Sequence, residues 1–366
     1  MKILYDHQIF SGQLYGGISR YFSSLLTSFH TNNIVNFKLS LIYSENFYLK
    51  KLNFLHILSF LQEKKFKGKD RLLNIFHKLN ELNSVINLKK QNFDIFHPTE
   101  YDTYFLKHIK KKTFILTVYD MIHEIFKEKY FPRSDAFIKK KKILIQKASK
   151  IIAISNHTKQ DIIKLYDINP EKINVVHLAS SFDSFTGSKI KVPERYILFV
   201  GGRDGYKNFE RFLAAVISIL KKDTSLHLVC VGKPFNSFEL FMLKKQGVSK
   251  QVLNYYVNDE SLVYLYKNAL VFVFPSLYEG FGIPILEAFN CKCPLALSNA
   301  SCFPEIALDA ALYFDPYNIE SIQDSIEKII YDSNIKNEMI KQGILRAKDF
   351  SWRKTALKTF KIYKNI

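Results

Sequence analysis

The sequence has few of the residues and runs that mark several common protein classes. Only four of its 366 residues are cysteines and one is tryptophan. It has no run of about 18 apolar residues, the length that a membrane-spanning helix needs. Cys291 and Cys293 lie two positions apart, which is not the usual zinc pairing, and no histidine cluster accompanies them. We therefore expect buried, reduced thiols, as in a cytosolic protein.

Several catalytic motifs are also missing. No Asp-x-Asp pair offers a carboxylate clamp for a metal-bound nucleotide, and no G-x-S-x-G turn offers a nucleophilic serine. The stretch HEIFK ends in Lys127 where a zinc protease needs its second histidine. Asp6 and His7 stand where a signal peptide has apolar residues, so we expect a protein that stays in the cytoplasm.

Positive charge is abundant. The chain has 53 Lys and Arg against 34 Asp and Glu, a net charge of +19, and most of the excess lies in residues 1–180. Such an excess favours an anionic partner, which can be nucleic acid, anionic lipid or a phosphorylated substrate. A solvated basic surface is the alternative. The length predicts two domains of about 150–200 residues each.

Apolar runs alternate with helical patterns along the first half. Gly16 and Gly17 follow the first apolar run and precede a helical pattern, and the free N–H groups at such a helix start can bind a phosphate. Asp120 and His123 follow a later run, at the strand end where such sheets bind ligands. The runs that predict buried parallel strands are residues 1–5, 93–99, 113–122, 150–154 and 173–179.

Residues 48–90 have a different composition. Phe, Leu and Ile recur there at helical spacing among many lysines. The pattern predicts basic amphipathic helices, which either cover a sheet or lie on an anionic bilayer.

The polar stretch 180–194 is the best linker candidate. Strand and helix patterns alternate again from residue 195, and residues 321–365 are helical throughout. The sequence thus predicts two doubly wound α/β domains.

Two clusters in the second half are candidates for chemistry. In PSLYEGFGIPILEAFNC, Glu279 lies in a loop after a strand, and Pro284 suits the first turn of the next helix, where we expect Glu287. Gly282 lets the backbone approach a ligand, and the helix start offers N–H donors to an anion. Carboxylates beside such an anion site suggest a ligand with hydroxyl groups.

The second cluster is GGRDGYKNF, in which Arg203 and Lys207 occupy a turn before a helix. Arginine can bind phosphate with two parallel hydrogen bonds, and lysine acts as a point charge. No Ser or Thr follows Lys207 as in a P-loop, and the glycine spacing differs from the dinucleotide-binding fingerprint.

Together, FVGGRDGYKNF, FVFPSLYEGFGIPILEAFNC and SNASCFPEIALDAALYFDP resemble glycosyltransferase family 4. Its E-x7-E motif corresponds to Glu279 and Glu287. The resemblance implies the GT-B fold, an α/β architecture in which two Rossmann-like, doubly wound domains face each other across a cleft. Residues 1–185 would bind the acceptor, residues 186–349 would bind a nucleotide-sugar, and residues 350–366 would form a helix crossing back onto the first domain.

The resemblance also implies retaining, metal-independent sugar transfer from a nucleotide-diphospho-sugar. Glu279 would contact the donor sugar and Glu287 the ribose, and no metal would bind. Asp120 and His123 would face the donor sugar, with Glu279, Asp120 and His123 as the catalytic set. Gly16 and Gly17 would lie near the donor phosphate or the acceptor. The remaining donor-binding residues would be Arg203, Lys207, Gly202, Gly282 and Ile283.

The stretch GGRDGYKNF also resembles mannosyltransferases of surface-polysaccharide assembly, which build O-antigen, capsule or lipopolysaccharide. This resemblance implies GDP-mannose as the favoured donor and a lipid-linked saccharide as the acceptor. We then expect a peripheral protein on the inner face of the cytoplasmic membrane, with an anionic membrane surface and no nucleic acid as partner. The alternatives are a soluble sugar synthase or phosphorylase-like enzyme and a non-enzymatic nucleic-acid-binding protein. The chain departs from the family at Tyr119, often histidine, and at Lys292, often glycine.

Overall fold

The computed structural model describes residues 1–55, 57–61, 66–182 and 186–366. The chain forms two compact units, one made of Met1–Leu178 with Trp352–Ile366 and the other of Ala179–Ser351. Each unit contains a six-stranded sheet, and the paired strands are parallel. Two parallel-sheet α/β units are the predicted fold class. The domain boundaries predicted from the sequence lie after residues 185 and 349, whereas the two units of the structure divide after Leu178 and Ser351.

The first unit alternates strands and helices along its length. Its elements are β1 Lys2–Tyr5, α1 Gln8–Gly12, α2 Gly17–Thr31, β2 Asn36–Leu39, α3 Lys69–Lys90, β3 Ile95–His97, β4 Thr113–Val118, α4 Ile122–Ile125, α5 Lys127–Tyr130, α6 Asp135–Lys147, β5 Lys150–Ala153, α7 Asn156–Tyr166 and β6 Ile173–Val175, and the C-terminal helix, Trp352–Lys364, belongs to the same unit.

The strand order of the first sheet is β2-β1-β3-β4-β5-β6. The strands form because their apolar runs are buried on both faces, as in β4, where five of six residues are buried. The chain changes direction across the sheet between β1 and β3. Ligands bind at such a point in doubly wound folds, outside the carboxyl ends of the two strands.

A buried chain of hydrogen bonds holds the C-terminal helix to the sheet of its own unit. The hydroxyl groups of Tyr5 and Tyr363 are 2.5 Å apart, and the Tyr363 hydroxyl lies 2.7 Å from His97 Nδ1. His97 Nε2 lies 2.9 Å from the Thr117 hydroxyl. Burial lowers the pKa of His97 to about 3, so its ring is neutral and each ring nitrogen has a hydroxyl partner.

The second unit repeats the alternation. Its elements are β7 Tyr196–Val200, α8 Phe209–Lys222, β8 His227–Val231, α9 Ser237–Lys245, β9 Val252–Tyr255, α10 Asp259–Asn268, β10 Val271–Phe274, α11 Ile283–Asn290, β11 Leu295–Ser298, α12 Phe303–Ala307, β12 Leu312–Phe314, α13 Ile319–Tyr331 and α14 Ser333–Ala347, after which α15 is the C-terminal helix already described.

The strand order of the second sheet is β12-β11-β10-β7-β8-β9. The chain builds outward from β7 through β8 to β9 and then returns to the other side of β7 with β10. The crevice for a ligand is therefore expected between the loops that follow β7 and β10. Apolar side chains of α8 and α13 fill the space over this sheet, including Phe212, Val216 and Ile326.

Some local predictions were wrong. The stretch 48–90 was predicted to be helical, but among its described residues the structure has a single α-helix, α3, and a 3-10 turn at Leu49–Lys51. Gly68, at φ +91, precedes α3 and takes a backbone conformation that a continuing helix does not have. Residues 56 and 62–65, also inside the predicted stretch, lie outside the described residues. Four further elements were not predicted from the sequence: β2, α6, β11 and β12.

The predicted linker is tied to the second unit. Ser188 N donates to the carbonyl of Glu260, and Tyr255 donates through its hydroxyl to the carbonyl of Lys191. Residues 183–185 of this segment lie outside the described residues.

In the part of the chain that the structure describes, no helix is both long and apolar enough to cross a membrane. The four cysteines are buried and form no disulfide.

Candidate functional site

Two loops of the second unit meet at the switch point of its sheet. Asn208 ends the loop after β7, and its side-chain amide donates to the carbonyl of Pro275 at 3.2 Å and to that of Pro316 at 2.7 Å. Leu277 N, in the loop after β10, donates to the carbonyl of Tyr206 at 2.8 Å. These bonds hold residues 201–208 against residues 275–282 at the edge where the ligand crevice is expected.

Lys207 and Glu279 form an ion pair across these two loops. Lys207 Nζ lies 2.6 Å from Glu279 Oε1, and the two side chains are 24% and 13% exposed. Burial by itself lowers the pKa of Lys207, but the charge of Glu279 and the hydrogen bond outweigh it, and the pKa is raised. Lys207 therefore carries a fixed positive charge. No structural role for Glu279 was apparent from the sequence, and this ion pair is one.

The backbone of Glu279 is anchored as well. Its N–H donates to the Ser301 hydroxyl at 3.0 Å, and its carbonyl accepts from Cys302 Sγ at 3.2 Å. The loop that carries the carboxylate is thus fixed from both sides by the segment that precedes α12. A site built on such supported loops keeps its geometry without a bound ligand.

Gly282 begins α11 in a conformation that favours glycine. Its φ is +83, and a Cβ there would lie 3.1 Å from both Ile285 Cδ1 and Phe303 Cε1. Ile283 is the first residue of α11 and Pro284 the second. The first N–H groups of a helix lack helical partners and carry partial positive charge, so this end is suited to an anion.

Glu287 was predicted in the first turn of this helix, and that position was wrong. It is the fifth residue of α11, and no acidic residue lies in the first turn. Its side chain is buried, and the Tyr266 hydroxyl donates to its Oε2 at 3.3 Å. The helix dipole stabilises an acid in the first turn, but this effect does not explain why a glutamate occupies position 287. Its predicted contact with ribose stays a prediction.

Arg203 is engaged by neighbours outside the Lys207–Glu279 pair. Its Nε donates to Glu239 Oε1 at 2.6 Å and its Nη2 to Glu239 Oε2 at 3.1 Å, while its other bonds reach the carbonyls of Lys233 and Pro234. Its guanidinium stacks 4.6 Å from the ring centre of Phe235. Its predicted contact with a diphosphate needs this guanidinium to reorient or to use its remaining N–H. Gly202 has open space at its Cβ position.

Four of the predicted residues lie in the first unit. Asp120 follows β4, and its Oδ1 accepts from Ile122 N at the start of α4. His123 lies between the rings of Phe131 and Phe137, with ring centres 4.4 and 4.5 Å away. Burial lowers the pKa of His123, although Asp120 opposes the shift, so a neutral ring is favoured.

The glycine pair of the first unit is at the start of α2. A Cβ on Gly16 would lie 2.2 Å from Oε1 of Gln13, and the Ser19 hydroxyl donates to the Gly16 carbonyl at 3.1 Å. Gly17, the first residue of α2, has no atom within 4 Å of its Cβ position. A side chain at position 16 would therefore require the flexible Gln13 side chain to move, whereas Gly17 leaves space in front of the helix start.

Glu100 is a candidate site residue that was not predicted from the sequence. It follows β3 as Asp120 follows the neighbouring β4, so the rule that selected Asp120 could have found it. Tyr119 holds both residues flanking Glu100, since its hydroxyl donates to the Thr99 carbonyl and its N–H donates to the Tyr101 hydroxyl. Burial raises the pKa of Glu100 to about 7, and the charge of Asp120 adds to the effect.

This shift predicts a pH-dependent stability of the first unit. Because the folded pKa of Glu100 lies above its ordinary value of 4.5, the folded state holds the proton longer than the unfolded state does. Stability is then lost as the pH rises from about 4.5 to 7. We expect Glu100→Gln to remove a loss on the order of 3 kcal/mol over this window. Urea unfolding followed by the fluorescence of Trp352, the single tryptophan, reports on this unit.

Glu81→Gln, which changes an exposed carboxylate on α3, is the matched control. Its stability should follow that of the unchanged protein at each pH. If Glu100→Gln follows it too, the carboxyl group of Glu100 has an ordinary pKa.

Comparisons with known proteins agree with this architecture. Residues 16–179 match the family described as Glycosyltransferase Family 4, and residues 181–346 match the family described as Glycosyl transferases group 1. The chain belongs to glycosyltransferase family 4. Within the described residues, no group of three or more His, Cys, Asp or Glu side chains is placed to hold a metal ion.

Two curated relatives of this family 4 chain act in O-antigen assembly according to their names. O-antigen chain mannosyltransferase B of Escherichia coli is 31% identical over 235 residues, which are 60% of this chain and 61% of the relative. O-antigen chain mannosyltransferase RfbU of Salmonella typhimurium is 29% identical over 57% of this chain and 59% of the relative. The chain thus aligns with about three fifths of the length of each.

A solved structure extends the likeness of the fold to the whole chain. Anabaena HepE, crystallised in complex with UDP and glucose, has a TM-score of 0.75 at 14% identity, covering 100% of both chains. At this identity the likeness shows the fold, which is the fold that the family resemblance predicted.

Proposed function

We propose that this family 4 protein is a glycosyltransferase that moves mannose from a nucleotide-diphospho-sugar to a saccharide acceptor during the synthesis of a bacterial surface polysaccharide. The observation that carries the proposal is the Lys207–Glu279 pair, 2.6 Å apart, between two loops at the switch point of the second sheet. The names of the two O-antigen relatives support mannose and the polysaccharide. GDP-mannose is the donor that we favour.

The chemistry asks for positive groups at the leaving diphosphate, because transfer leaves negative charge on it. Lys207, whose pKa is raised, supplies a permanent charge, and the N–H groups at the start of α11 supply dipoles. Glu279 can accept hydrogen bonds from sugar hydroxyls through the carboxylate oxygens that Lys207 leaves available. Fixed groups of this kind can stabilise the departing diphosphate without a metal ion.

The configuration and the acceptor are parts of the same proposal. Transfer proceeds with retention at the anomeric carbon, and the acceptor is lipid-linked and presented at the inner face of the cytoplasmic membrane. Asp120 and His123 act at the donor sugar, and Arg203 joins Lys207 at the diphosphate after leaving Glu239. A soluble sugar synthase would act instead on a free small sugar.

The test is a donor panel in excess EDTA. Purified protein is incubated with GDP-mannose, UDP-glucose, dTDP-sugars or ADP-sugars as donor. Each donor is tested with a lipid-linked and with a lipid-free mannosyl acceptor, and the released nucleotide and the product are measured. We expect turnover of GDP-mannose that EDTA does not reduce, and a product whose anomeric NMR coupling matches the α-donor.

Each part of the proposal has its own contrary result. Activity that appears only after Mg²⁺ or Mn²⁺ is added would remove metal independence, and an inverted product would remove retention. Turnover with free fructose or glucose phosphate as the better acceptor would favour the sugar synthase.

A further inference from the structure

Helix α3 has several of its apolar side chains facing solvent. Four of them lie on one face at intervals of four, three and four residues, and this set is called the α3 stripe. Its members are strongly exposed, at 54%, 39%, 54% and 42%: Ile75, Leu79, Leu82 and Ile86. Most helices on a protein surface show the opposite arrangement, with the apolar face turned to the core.

The opposite face of α3 is buried, and most of its buried side chains are polar: Asn80, Ser84 and Asn87, beside Leu88. Asn80 Oδ1 accepts from Ile42 N and Tyr43 N, and its Nδ2 donates to the Tyr43 carbonyl. Ser84 donates to the Ser40 carbonyl and contacts His7 Nδ1 at 2.8 Å. Rolling the helix to bury the stripe would break these bonds and leave buried polar groups unpaired. The outward direction of the stripe is therefore fixed by the inward bonds.

Charge around the stripe has one sign. At about 100° per residue, Arg71, Lys78, Lys89 and Lys90 lie within about 70° of the centre of the stripe. The two exposed acids of the helix, Asp70 and Glu81, lie more than about 120° away. All six side chains are exposed. An apolar strip flanked by cations suits the headgroup and acyl boundary of an anionic bilayer.

We propose that the α3 stripe and its flanking cations dock this protein on an anionic lipid surface. A second copy of the chain fits less well, because two stripes packed together would bring the flanking cations of both copies into proximity. The inference deepens the proposed function and rests on it for the role of docking. An enzyme bound to the membrane surface would encounter its lipid-linked acceptor by diffusion within that surface. The binding itself needs neither donor nor acceptor.

The test is co-sedimentation of the full chain with vesicles of phosphatidylglycerol and phosphatidylcholine in a 1:1 ratio, compared with pure phosphatidylcholine. We expect binding to the mixed vesicles only. Changing the stripe to Ile75→Gln, Leu79→Gln, Leu82→Gln and Ile86→Gln should weaken binding at least tenfold, and so should Arg71→Gln with Lys78→Gln, Lys89→Gln and Lys90→Gln. The charge variant keeps the stripe and therefore tests the proposal if the stripe variant does not fold.

The matched control removes the same charge from the second unit, by changing four exposed lysines to glutamine: Lys244, Lys245, Lys250 and Lys328. It should bind like the unchanged protein. Equal losses in the control and charge variants, or no sedimentation of the unchanged protein, would overturn the proposal. A dimer in solution that the stripe variant converts to a monomer would overturn it too.

Transfer to a lipid-free acceptor separates this inference from the proposed function. We expect the stripe and charge variants to retain it. Vesicle binding without transferase activity would support the docking surface and contradict the proposed enzymatic function. Transferase activity without vesicle binding would support the enzymatic function and contradict the docking surface.

Discussion

Glu279→Gln is expected to lower kcat/KM for the nucleotide-sugar by about 10²–10³-fold, because the neutral amide replaces a charged acceptor of sugar hydroxyls. Hydrogen bonds to charged groups contribute about 1.5–3 kcal/mol each, and two of them would give a loss of this size. The change keeps the shape of the side chain, so the loop bonds from Ser301 and Cys302 should persist. Steady-state kinetics with the best donor of the panel measure the effect.

The same substitution also leaves Lys207 without its anionic partner. Since the two side chains are 24% and 13% exposed, we expect a loss of stability of about 1–2 kcal/mol, smaller than for a fully buried pair. Activity must therefore be compared at equal folded fraction, checked by a thermal melt.

Glu327→Gln is the matched control for this experiment. Glu327 pairs with Lys222 at 3.2 Å on the surface of the same unit, with the two side chains 26% and 65% exposed. Exposed pairs contribute little to stability, and no donor role falls on this one. Near-normal kinetics of Glu279→Gln, or an equal loss in the control, would show that the Glu279 carboxylate does not contact the donor.

Lys207→Met is expected to weaken the binding of GDP by about 10²-fold and to lower kcat/KM further. Lys207 is the charged group that the diphosphate would meet, and its loss removes stabilisation both in the bound state and as charge develops on the leaving group. Losing one donor to a developing anion costs about 3 kcal/mol. Calorimetry with GDP and with UDP separates the binding loss from the kinetic loss, and Lys222→Met is the control.

The two residues should also act as a unit. Because Lys207 and Glu279 share a contact at 2.6 Å, the loss in Lys207→Met combined with Glu279→Gln should be smaller than the product of the single losses. Normal GDP affinity in Lys207→Met would place the diphosphate elsewhere. Fully multiplicative losses would show that the pair is not coupled in the reaction.

The alternation of strands and helices was readable because local chemistry determines it. Apolar runs such as residues 196–200 fit strands buried on both faces, and Gly282 and Pro284 mark the start of α11 through backbone preferences. The strand β2 escaped, because its four residues are exposed or only partly buried. Lys292 takes φ +57, so the turn where relatives often have glycine keeps a left-handed residue.

The ion-pair partners of the site residues could not be predicted from local sequence patterns. Arg203 and Glu239 are 36 positions apart and Lys207 and Glu279 are 72 apart, so each pairing depends on which strand ends the sheet order brings together. The sequence assigned Arg203 and Lys207 one common role. The structure separates them, because α9 offers Arg203 a carboxylate that also caps that helix.

By itself the sequence determined the two α/β domains, the glycosyltransferase family and the loop positions of the candidate residues, because short-range patterns and motif spacing carry that information. Only the tertiary structure decided that Glu287 is buried in the second turn of α11, that Glu100 stands beside Asp120, and that α3 turns the four apolar side chains of its stripe outward. These depend on contacts between distant segments: the periodicity of a helix gives the faces, and its packing partners select the one that is buried.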